Sequence, residues 1–469
     1  MPDAAAEYPL QELHFGQALL PTGWAREVRV RIADGRIAAV DPGVTADGSA
    51  ERHAVGVPGL CNGHSHAFQL ALAGLTELRG ASADSFWTWR ERLYAFLEHL
   101  GPEELEAVTA QAFVEMLESG FTRVGEFHYV HHDVLGRRYA DLAEMAGRVG
   151  SAAADTGIGL TLLPVFYAHG GFGGAPPGAA QRRFLCSLEE FARLLSASET
   201  ALARVPGATL GIAPHSLRAV APAELAALAT LAAGRPVHIH LAEQEREVAD
   251  SVAWSGQRPV AWLLEHAPVA GHWSLIHATH VDAAELRGIL ASGAVVGLCP
   301  ITEADLGDGI FPAPEYLAAG GRISIGTDSN VRIDAAAELR LLEYGQRLAR
   351  RARNVLAAGA HASTGRSLFD AAHDGGAAAL GLRPVGIVPG ASADLVSLDP
   401  DAWLAGGRDG DALLDGWIFA ARRPAVDCVW RAGRKLVSGG RHVRAAPIAA
   451  RFARALRALT RGAGGDHLR

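Results

Sequence analysis

Lysine is nearly absent from this sequence, and the one that occurs lies far from the segments that carry chemistry. Lys435 is the only lysine among 469 residues, in RAGRKLVSGG near the end of the chain. A barrel enzyme that works through a Schiff base needs a lysine at its centre, and so does a two-metal site bridged by a modified lysine. We therefore expect neither kind of site. One metal ion is the simpler expectation for any metal centre here.

Cysteine, long apolar runs and excess positive charge are lacking too. The four cysteines are scattered without a C-x-x-C pair, which indicates unpaired thiols in a reducing cytoplasm. No signal-like segment precedes the first strand pattern, and no apolar run reaches the length of a membrane span. The formal net charge of −8 gives no support to nucleic-acid binding. The sequence thus predicts a cytoplasmic protein with neither a nucleic-acid nor a membrane partner.

The hydrophobic content of 49% is enough for a large core and more than one domain. Residues 1–54 and 380–445 alternate in hydrophobicity and contain turn signals, which predicts one small β-sandwich domain built from both termini. Residues 55–379 alternate strand-like and helix-like blocks, which indicates parallel strands joined by helices. The pattern of residues 446–469 predicts a basic amphipathic helix and tail, for which a packing or dimer role is favoured over a membrane role.

The middle segment has the length of an eight-fold barrel. The 264 residues that separate His64 from Asp328 are close to the roughly 250 of a typical (β/α)8 TIM-type barrel. A doubly wound open sheet is the rival architecture, but it needs a Gly-rich phosphate turn after its first strand. The segment NGHSHAFQ does not supply that turn, so the sequence favours the barrel.

Five potential ligands each end a short apolar run: His64, His66, His240, His277 and Asp328. An i, i+2 pair of histidines on an extended segment points both imidazoles to one side. The other three follow β-rich stretches, where a parallel strand meets its loop. Imidazole and carboxylate donors suit a zinc-like divalent ion, which lowers the pKa of bound water to roughly 7. We expect His64, His66, His240 and Asp328 to hold this ion, with His277 beside its water.

The residues around this series indicate an acidic substrate. Glu243 lies three residues beyond His240, where a carboxylic acid could protonate a leaving nitrogen or accept a water proton. Arg218 follows a strand end and Arg90 lies in SFWTWRERLY, near a predicted loop end. Two guanidinium groups would suit a small dicarboxylate ligand. Gln69 and Tyr129 are weaker candidates for hydrogen bonds to substrate. Hydrolytic deamination or amide-type hydrolysis is the chemistry expected.

The chain resembles the amidohydrolase superfamily, and within it the formimidoylglutamate deiminase family. His-x-His is a superfamily-level signal, whereas HSHAFQ, FWTWRE and PHSLRAV are far narrower. The resemblance covers nearly the whole length. It implies a barrel with a small β-sandwich, a homodimer, and water attack on the formimino carbon of N-formimino-L-glutamate, a step of histidine degradation that yields N-formyl-L-glutamate and ammonia.

The same resemblance implies roles for individual residues. One zinc ion would be held by His64, His66, His240 and Asp328. Glu243 would handle the imino nitrogen and His277 would polarise the water. The substrate would be bound by Gln69, Arg90, Tyr129, His215 and Arg218.

Three positions depart from the family pattern, and two alternative functions stay open. Asn330 stands where the family commonly has His, and Ile301 and Asp305 stand where Thr and Asn are usual. The alternatives are a deaminase of a heterocycle or another amidine, and a catalytically silent barrel that acts as a binding protein. The division of proton transfers among Glu243, His277 and Asp328 is also open.

Overall fold

The structure is a computed structural model that describes residues 11–46, 48, 50–79, 84–359, 362–403 and 407–462. Residues 1–10 and 463–469, which the sequence assigns to the sheet domain and to the C-terminal tail, lie outside this described part. Among the described residues, no helix combines the length and apolar character needed to cross a membrane.

The strands, in chain order, are β1 (Gln11–Leu20), β2 (Gly23–Ala33), β3 (Arg36–Asp41), β4 (Glu51–Pro58), β5 (Leu60–Ser65), β6 (Phe121–His128), β7 (Gly159–Phe166), β8 (Thr209–Leu210), β9 (Ala213–Pro214), β10 (Val237–Leu241), β11 (Trp273–His277), β12 (Val295–Leu298), β13 (Arg322–Ile325), β14 (Leu395–Leu398), β15 (Val426–Arg431), β16 (Arg434–Ser438) and β17 (Arg441–His442).

The α-helices are α1 (Phe86–Leu97), α2 (Pro102–Glu118), α3 (Glu144–Thr156), α4 (Leu188–Leu202), α5 (Pro222–Ala232), α6 (Glu245–Ser255), α7 (Pro259–His266), α8 (Ala283–Ser292), α9 (Pro300–Leu306), α10 (Ala313–Ala318), α11 (Ala335–Arg350), α12 (Thr364–Ala379), α13 (Asp411–Ala420) and α14 (Ala445–Gly462).

Both ends of the chain meet in one eight-stranded sheet, with the order β17-β16-β15-β14-β4-β1-β2-β3. Its alternation is visible in β2, where Val28, Val30 and Ile32 are buried and the intervening arginines are not. Because successive side chains of a strand point to opposite faces, one face of the strand lies in the core and the other in solvent. The sequence-based prediction of a sheet domain made from both termini is confirmed.

The central strands form a parallel barrel. Strands β5, β6, β7 and β8 pair in that order, and so do β10, β11, β12 and β13. Single parallel bridges close the circle, Ile212 with Val237 on one side and Ser65 with Asp328 on the other. Strands β8 and β9 together occupy one of the eight places, since both pair with β7. The predicted (β/α)8 barrel is confirmed.

The helices follow the strands as a barrel requires. Helix α2 begins at Pro102, whose missing N–H is not needed in the first turn of a helix. The negative charges of Glu103 and Glu104 stabilise the positive N-terminal end of the helix dipole. The left-handed Gly120 (φ 102°) turns the chain into β6. The C-terminal helix α14 packs against α2, and Arg451 forms an ion pair with Asp155. The described part of this helix thus packs within the chain, and its dimer role stays a prediction.

Candidate metal centre and active site

Four predicted ligands converge at the carboxyl ends of the barrel strands. His64 Nε2 and His66 Nε2 lie 3.1 and 3.3 Å from His240 Nε2. The same two atoms lie 3.4 and 3.2 Å from Asp328 Oδ1. Four donors about 2.0–2.1 Å from a tetrahedral zinc ion lie about 3.3 Å apart. The spacing and the chemistry of the donors therefore fit a zinc-type ion.

The backbone of the barrel fixes this spacing. His64 and His66 are two residues apart on and just beyond β5, so their rings lie on the same side. The amide of His66 donates to the carbonyl of Asp328 (2.8 Å), and the amide of Asp328 donates to the carbonyl of His64 (3.0 Å). The first and last barrel strands are thus hydrogen-bonded to each other at the ligands themselves.

Backbone carbonyls orient two of the imidazole rings. His66 Nδ1 donates to the carbonyl of Phe127 (2.9 Å) and His240 Nδ1 donates to that of His215 (3.0 Å). These hydrogen bonds leave both Nε2 lone pairs free to face the centre. Burial lowers the pKa of His64 to about 3 and also lowers the pKa values of His66 and His240. The three rings are therefore neutral, the form in which imidazole binds a metal.

A second set of side chains lies beside the ligands. His277 Nε2 is 3.8 Å from both Glu243 Oε1 and Asp328 Oδ2, while its Nδ1 donates to Glu303 (3.2 Å). Although burial opposes it, the surrounding carboxylates, Glu243 foremost, raise the pKa of His277 to about 10. Burial raises the pKa of Glu243 to about 7 against the opposing charges of His277 and Arg218. An acid with a pKa near neutrality can both give and take a proton.

Left-handed backbone recurs where the strands end. Ala242, His277 and Asp328 have φ values of 51°, 68° and 44°, and Asn330 has 56°. Residues other than glycine pay of order 1–3 kcal/mol for this conformation, and they keep it only where the surroundings impose it. Here the surroundings include the hydrogen bond from the amide of Ala278 to Leu241 (2.9 Å). The left-handed backbone turns the chain at or just after the ends of strands β10, β11 and β13.

A cavity of about 480 Å³ opens above the metal centre. Its lining includes every residue predicted from the sequence to bind substrate: Gln69, Arg90, Tyr129, His215 and Arg218. Gln69 donates to the hydroxyl of Tyr129 (2.9 Å). Glu243, His277 and Asp328 line the same cavity. The structure therefore brings all predicted site residues together, with His64 buried just beneath them.

The two predicted arginines lie on different walls. Arg218 is largely buried, with Nη2 3.7 Å from Glu243 and 4.0 Å from Glu247. The prediction that Arg90 lies near a loop end is wrong, because Arg90 lies within the first turns of helix α1. There its Cζ lies 4.6 Å from the ring centre of Trp87. The helix forms because Ser85 and Thr88 cap its start.

Several contributors were missed from the sequence. Arg246 also lies over the ring of Trp87, with its Cζ 4.5 Å from the ring centre. Glu303 holds His277, and Glu247 accepts the amides of Ala242 (3.2 Å) and Glu243 (3.0 Å). Glu303 follows strand β12 just as the ligands follow theirs, and that placement was the available signal. Glu247 and Arg246 lie in the first turn of a helix, where charged residues are usually solvated.

The three departures from the family pattern lie away from this cavity, whose lining among the described residues includes none of them. Asn330 is fully buried and donates to Ser65 Oγ (3.1 Å). The amide of Ile301 donates to Glu338 (2.9 Å). Burial and the neighbouring Glu77 raise the pKa of Asp305 to about 6. The Asn330 side chain thus ties the end of β5 to the loop after β13.

Comparisons with known sequences agree with this geometry. The sequence model described as "Amidohydrolase family" matches residues 55–436. The model described as "Formimidoylglutamate deiminase HutF, N-terminal domain" matches residues 11–54. The chain is 51% identical over 431 residues to the formimidoylglutamate deiminase of Pseudomonas aeruginosa, which spans 91% of this chain and 94% of that protein.

Solved structures give the same picture. The crystal structure of an amidohydrolase from Brucella melitensis superposes with a TM-score of 0.93 at 54% identity, and covers 96% of this chain and 99% of that one. An adenosine deaminase from Xanthomonas campestris with bound zinc has a TM-score of 0.78 at 25% identity, and covers 96% and 98% of the two chains.

Proposed function

Because this chain belongs to the amidohydrolase family, we propose that it hydrolyses N-formimino-L-glutamate to N-formyl-L-glutamate and ammonia. The observation that carries the proposal is the pairing of a four-ligand metal centre with two guanidinium groups in one cavity. Arg218 is placed beside Glu243, so a carboxylate bound by Arg218 places the attached chain next to the catalytic acid. The relative that matches 91% of the chain carries the same activity in its name.

His64, His66, His240 and Asp328 would hold one divalent ion, for which we propose zinc. Such an ion supplies Lewis acidity, which lowers the pKa of water to roughly 7 and so delivers hydroxide at neutral pH. The neutral imidazoles and the ionised carboxylate offer the donors that zinc prefers. Metal analysis of the purified protein checks this assignment, and a protein that refuses zinc would favour the silent, non-catalytic barrel.

Binding would orient the substrate before any bond changes. Arg218 and Arg90 would each pair with one carboxylate, since a guanidinium matches a carboxylate through two hydrogen bonds. Gln69, Tyr129 and His215 would hydrogen-bond the remaining polar atoms. The formimino carbon then lies over the floor of the cavity, between Glu243 and His277. The aromatic walls exclude bulk water and strengthen these charge interactions.

The residues at the floor would handle the protons. The reaction converts an N–CH=NH group and one water into an N–CHO group and ammonia. Glu243, with its pKa near 7, would deliver a proton to the imino nitrogen as the C–N bond breaks. His277 would donate a hydrogen bond to the oxygen added at carbon, with Glu303 holding its ring. Asp328 Oδ2 is within reach of the proton that water loses.

A heterocycle deaminase is the second candidate, because aromatic side chains dominate parts of the cavity wall. They are Phe86, Trp87, Trp89, Tyr94, Tyr129, Tyr167, Phe172, Phe184 and Trp254. Such walls accept flat rings, and the Xanthomonas campestris neighbour is named an adenosine deaminase. The two arginines oppose this candidate, since a neutral ring leaves their charges without partners.

Ammonia release from a panel of substrates tests both candidates. Zinc-loaded protein should release ammonia from N-formimino-L-glutamate, and much less from N-formiminoglycine, which lacks the second carboxylate. Guanine and adenosine should be inert. Zinc-loaded protein that releases ammonia from a purine but not from N-formimino-L-glutamate would establish the second candidate instead.

Further features belong to the same proposal. We assign the protein to the cytoplasm as a homodimer, with residues 1–54 and 380–445 as the sheet domain and 55–379 as the barrel. The four cysteines are free and buried, which agrees with a reducing compartment. Light scattering of the purified chain checks the dimer.

A further inference from the structure

A second cavity, of about 220 Å³, lies at the opposite end of the barrel from the metal centre. Its walls include Gly59 and Cys61 at the start of β5, Arg123 at the start of β6, and Thr209 at the start of β8. Residues 381–386, which lead from the barrel back to the terminal sheet, complete it. We call it the barrel-base cavity. It touches both places where the chain crosses between the sheet and the barrel.

The barrel-base cavity is lined by more positive than negative charge. Arg36, Arg123 and Arg383 line it, against the single carboxylate of Asp394. That carboxylate is already engaged: Arg123 Nε donates to its Oδ2 (3.0 Å), while Ser392 Oγ (2.6 Å) and the amide of Ala432 (2.8 Å) donate to its Oδ1. One carboxylate with three donors cannot neutralise the remaining guanidinium groups.

Arg431 adds a buried charge at the wall of this cavity. The residue is 7% exposed, and its Nε is buried with no hydrogen-bond partner. Within the described ranges its side chain forms neither a hydrogen bond nor an ion pair, although its backbone pairs with Arg434 in the sheet. A Cβ added to Gly207, which lines the cavity, would lie 2.7 Å from Arg431 Nη2. The guanidinium therefore lies directly behind the cavity wall, at a position where a side chain on residue 207 would collide with it.

A buried guanidinium without a partner is costly. Removing a charge from water costs several kcal/mol unless an opposite charge or hydrogen bonds replace the solvent. Burial and the neighbouring Arg123 and Arg434 lower the pKa of Arg431, while the charge of Asp394 opposes them. Arginine stays protonated in proteins, and Asp394 is already paired with Arg123, so one carboxylate serves two guanidinium groups.

We propose that the barrel-base cavity binds a compact oxyanion with at least two negative charges, held by Arg36, Arg123 and Arg383 of its lining, while Arg431 adds positive charge from behind Gly207. Guanidinium groups recognise phosphate and carboxylate oxygens through paired hydrogen bonds. The cavity is several times the roughly 30 Å³ of one liquid water, so it has room for such an anion. Inorganic phosphate and a small dicarboxylate share this chemistry. Because the cavity contacts both segments that connect the sheet to the barrel, a bound anion would stabilise the packing of the sheet against the barrel.

Thermal unfolding in phosphate tests this site. At millimolar phosphate the wild-type Tm should rise by about 2 °C or more above the value in chloride of equal ionic strength. In Arg431→Met this rise should largely disappear, because the variant removes one of the positive charges that surround the anion. Arg353→Met, which removes an exposed arginine, should keep the full rise.

The outcomes separate clearly. No rise in wild type, or a full rise in Arg431→Met, overturns the proposal. If Arg431→Met fails to fold, the same titration on Arg123→Gln decides, with loss of the rise supporting the site and retention overturning it. Replacing phosphate by succinate identifies the source of the anion. A succinate rise that is lost in Arg431→Met but kept in Arg218→Ala assigns a dicarboxylate to this cavity and not to the metal-centre cavity.

Discussion

The floor and the wall of the metal-centre cavity are built on different principles. The floor consists of residues at strand ends, each fixed by backbone hydrogen bonds across the barrel. The wall consists of Arg90, Trp87 and Arg246 on helices α1 and α6, which hold one another by stacking. In the proposed binding mode, atoms at the floor would contact the reacting centre, and those at the wall would contact the rest of the substrate. Changes at the floor should therefore lower kcat, and changes at the wall should mainly raise KM.

His240→Ala should have the largest effect, because it removes a metal ligand. Loss of a group that merely orients a ligand costs about 10–100-fold in metal affinity, and loss of the ligand itself should cost more. Zinc content measured after dialysis should collapse together with ammonia release. His373→Ala, a histidine outside the cavity lining, is the control. A fully loaded and active His240→Ala would refute the assignment of the ligand.

Glu243→Gln should have the second-largest effect. Its kcat should be lowered by roughly 10²–10⁴-fold, with little change in KM. The amide keeps the shape of the side chain but cannot give up a proton to the leaving nitrogen. Zinc content should stay at the wild-type level, which separates this variant from the previous one. Steady-state ammonia release gives both constants, and an unchanged kcat would remove Glu243 from the chemistry.

Arg218→Ala tests whether changes away from the cavity floor alter KM more than kcat. It should weaken substrate binding by about 2–5 kcal/mol if the guanidinium pairs with a buried carboxylate. The expected signature is a large rise in KM with zinc retained. Arg353→Ala is the matched control on the surface. An unchanged KM would exclude Arg218 from binding the substrate.

Glu303→Gln should produce a smaller loss, of about 10–100-fold in kcat. Its carboxylate accepts the Nδ1 proton of His277, and the amide holds that ring less firmly. KM should not change, since Glu303 is not among the residues that line the cavity in the described chain. Glu343→Gln, a buried acid elsewhere that accepts the amides of residues 355 and 356, should alter stability without altering kcat. A loss in Glu303→Gln that appears only in KM would contradict the positioning role.

Arg246→Ala should have the smallest effect of the five. The side chain is 64% exposed, and interactions at such exposure contribute less than about 1 kcal/mol. A modest rise in KM is expected because Trp87 loses one of its two stacked guanidinium groups. A change in kcat of tenfold or more would show that the wall acts on the reaction itself.

The barrel and the clustering of the candidate metal ligands were predictable because both depend on local patterns. Parallel strands end at one edge of a barrel, so His64, His240 and Asp328 could be placed together from the runs that precede them. The aromatic surroundings of Arg90 indicated a place in the cavity, but its helix α1 depends on capping by Ser85 and Thr88, which is a weaker sequence signal. Predicting the chemistry of a residue was easier than predicting the element that carries it.

The rest depends on contacts between distant parts of the chain. Glu303, which follows β12, contacts His277 at the end of the neighbouring strand β11, and the left-handed φ of Asp328 has no signal in its sequence. Arg36, Arg123 and Arg383 line the barrel-base cavity and Arg431 lies behind it, and the four come from separate segments. No periodicity connects such positions, so only the folded structure places them together.

The mutual hydrogen bonds between His64, His66 and Asp328 have a consequence for biosynthesis. They join the strand that opens the barrel to the strand that completes it, so the metal centre lies on the seam of the barrel. A nascent chain that has not yet extended past β13 possesses three imidazoles but neither the carboxylate nor the backbone clasp that aligns two of them. Because such distant contacts form late in folding, the growing polypeptide is expected to acquire its full affinity for the ion only when the seam closes. Nascent fragments would then compete poorly for cellular zinc.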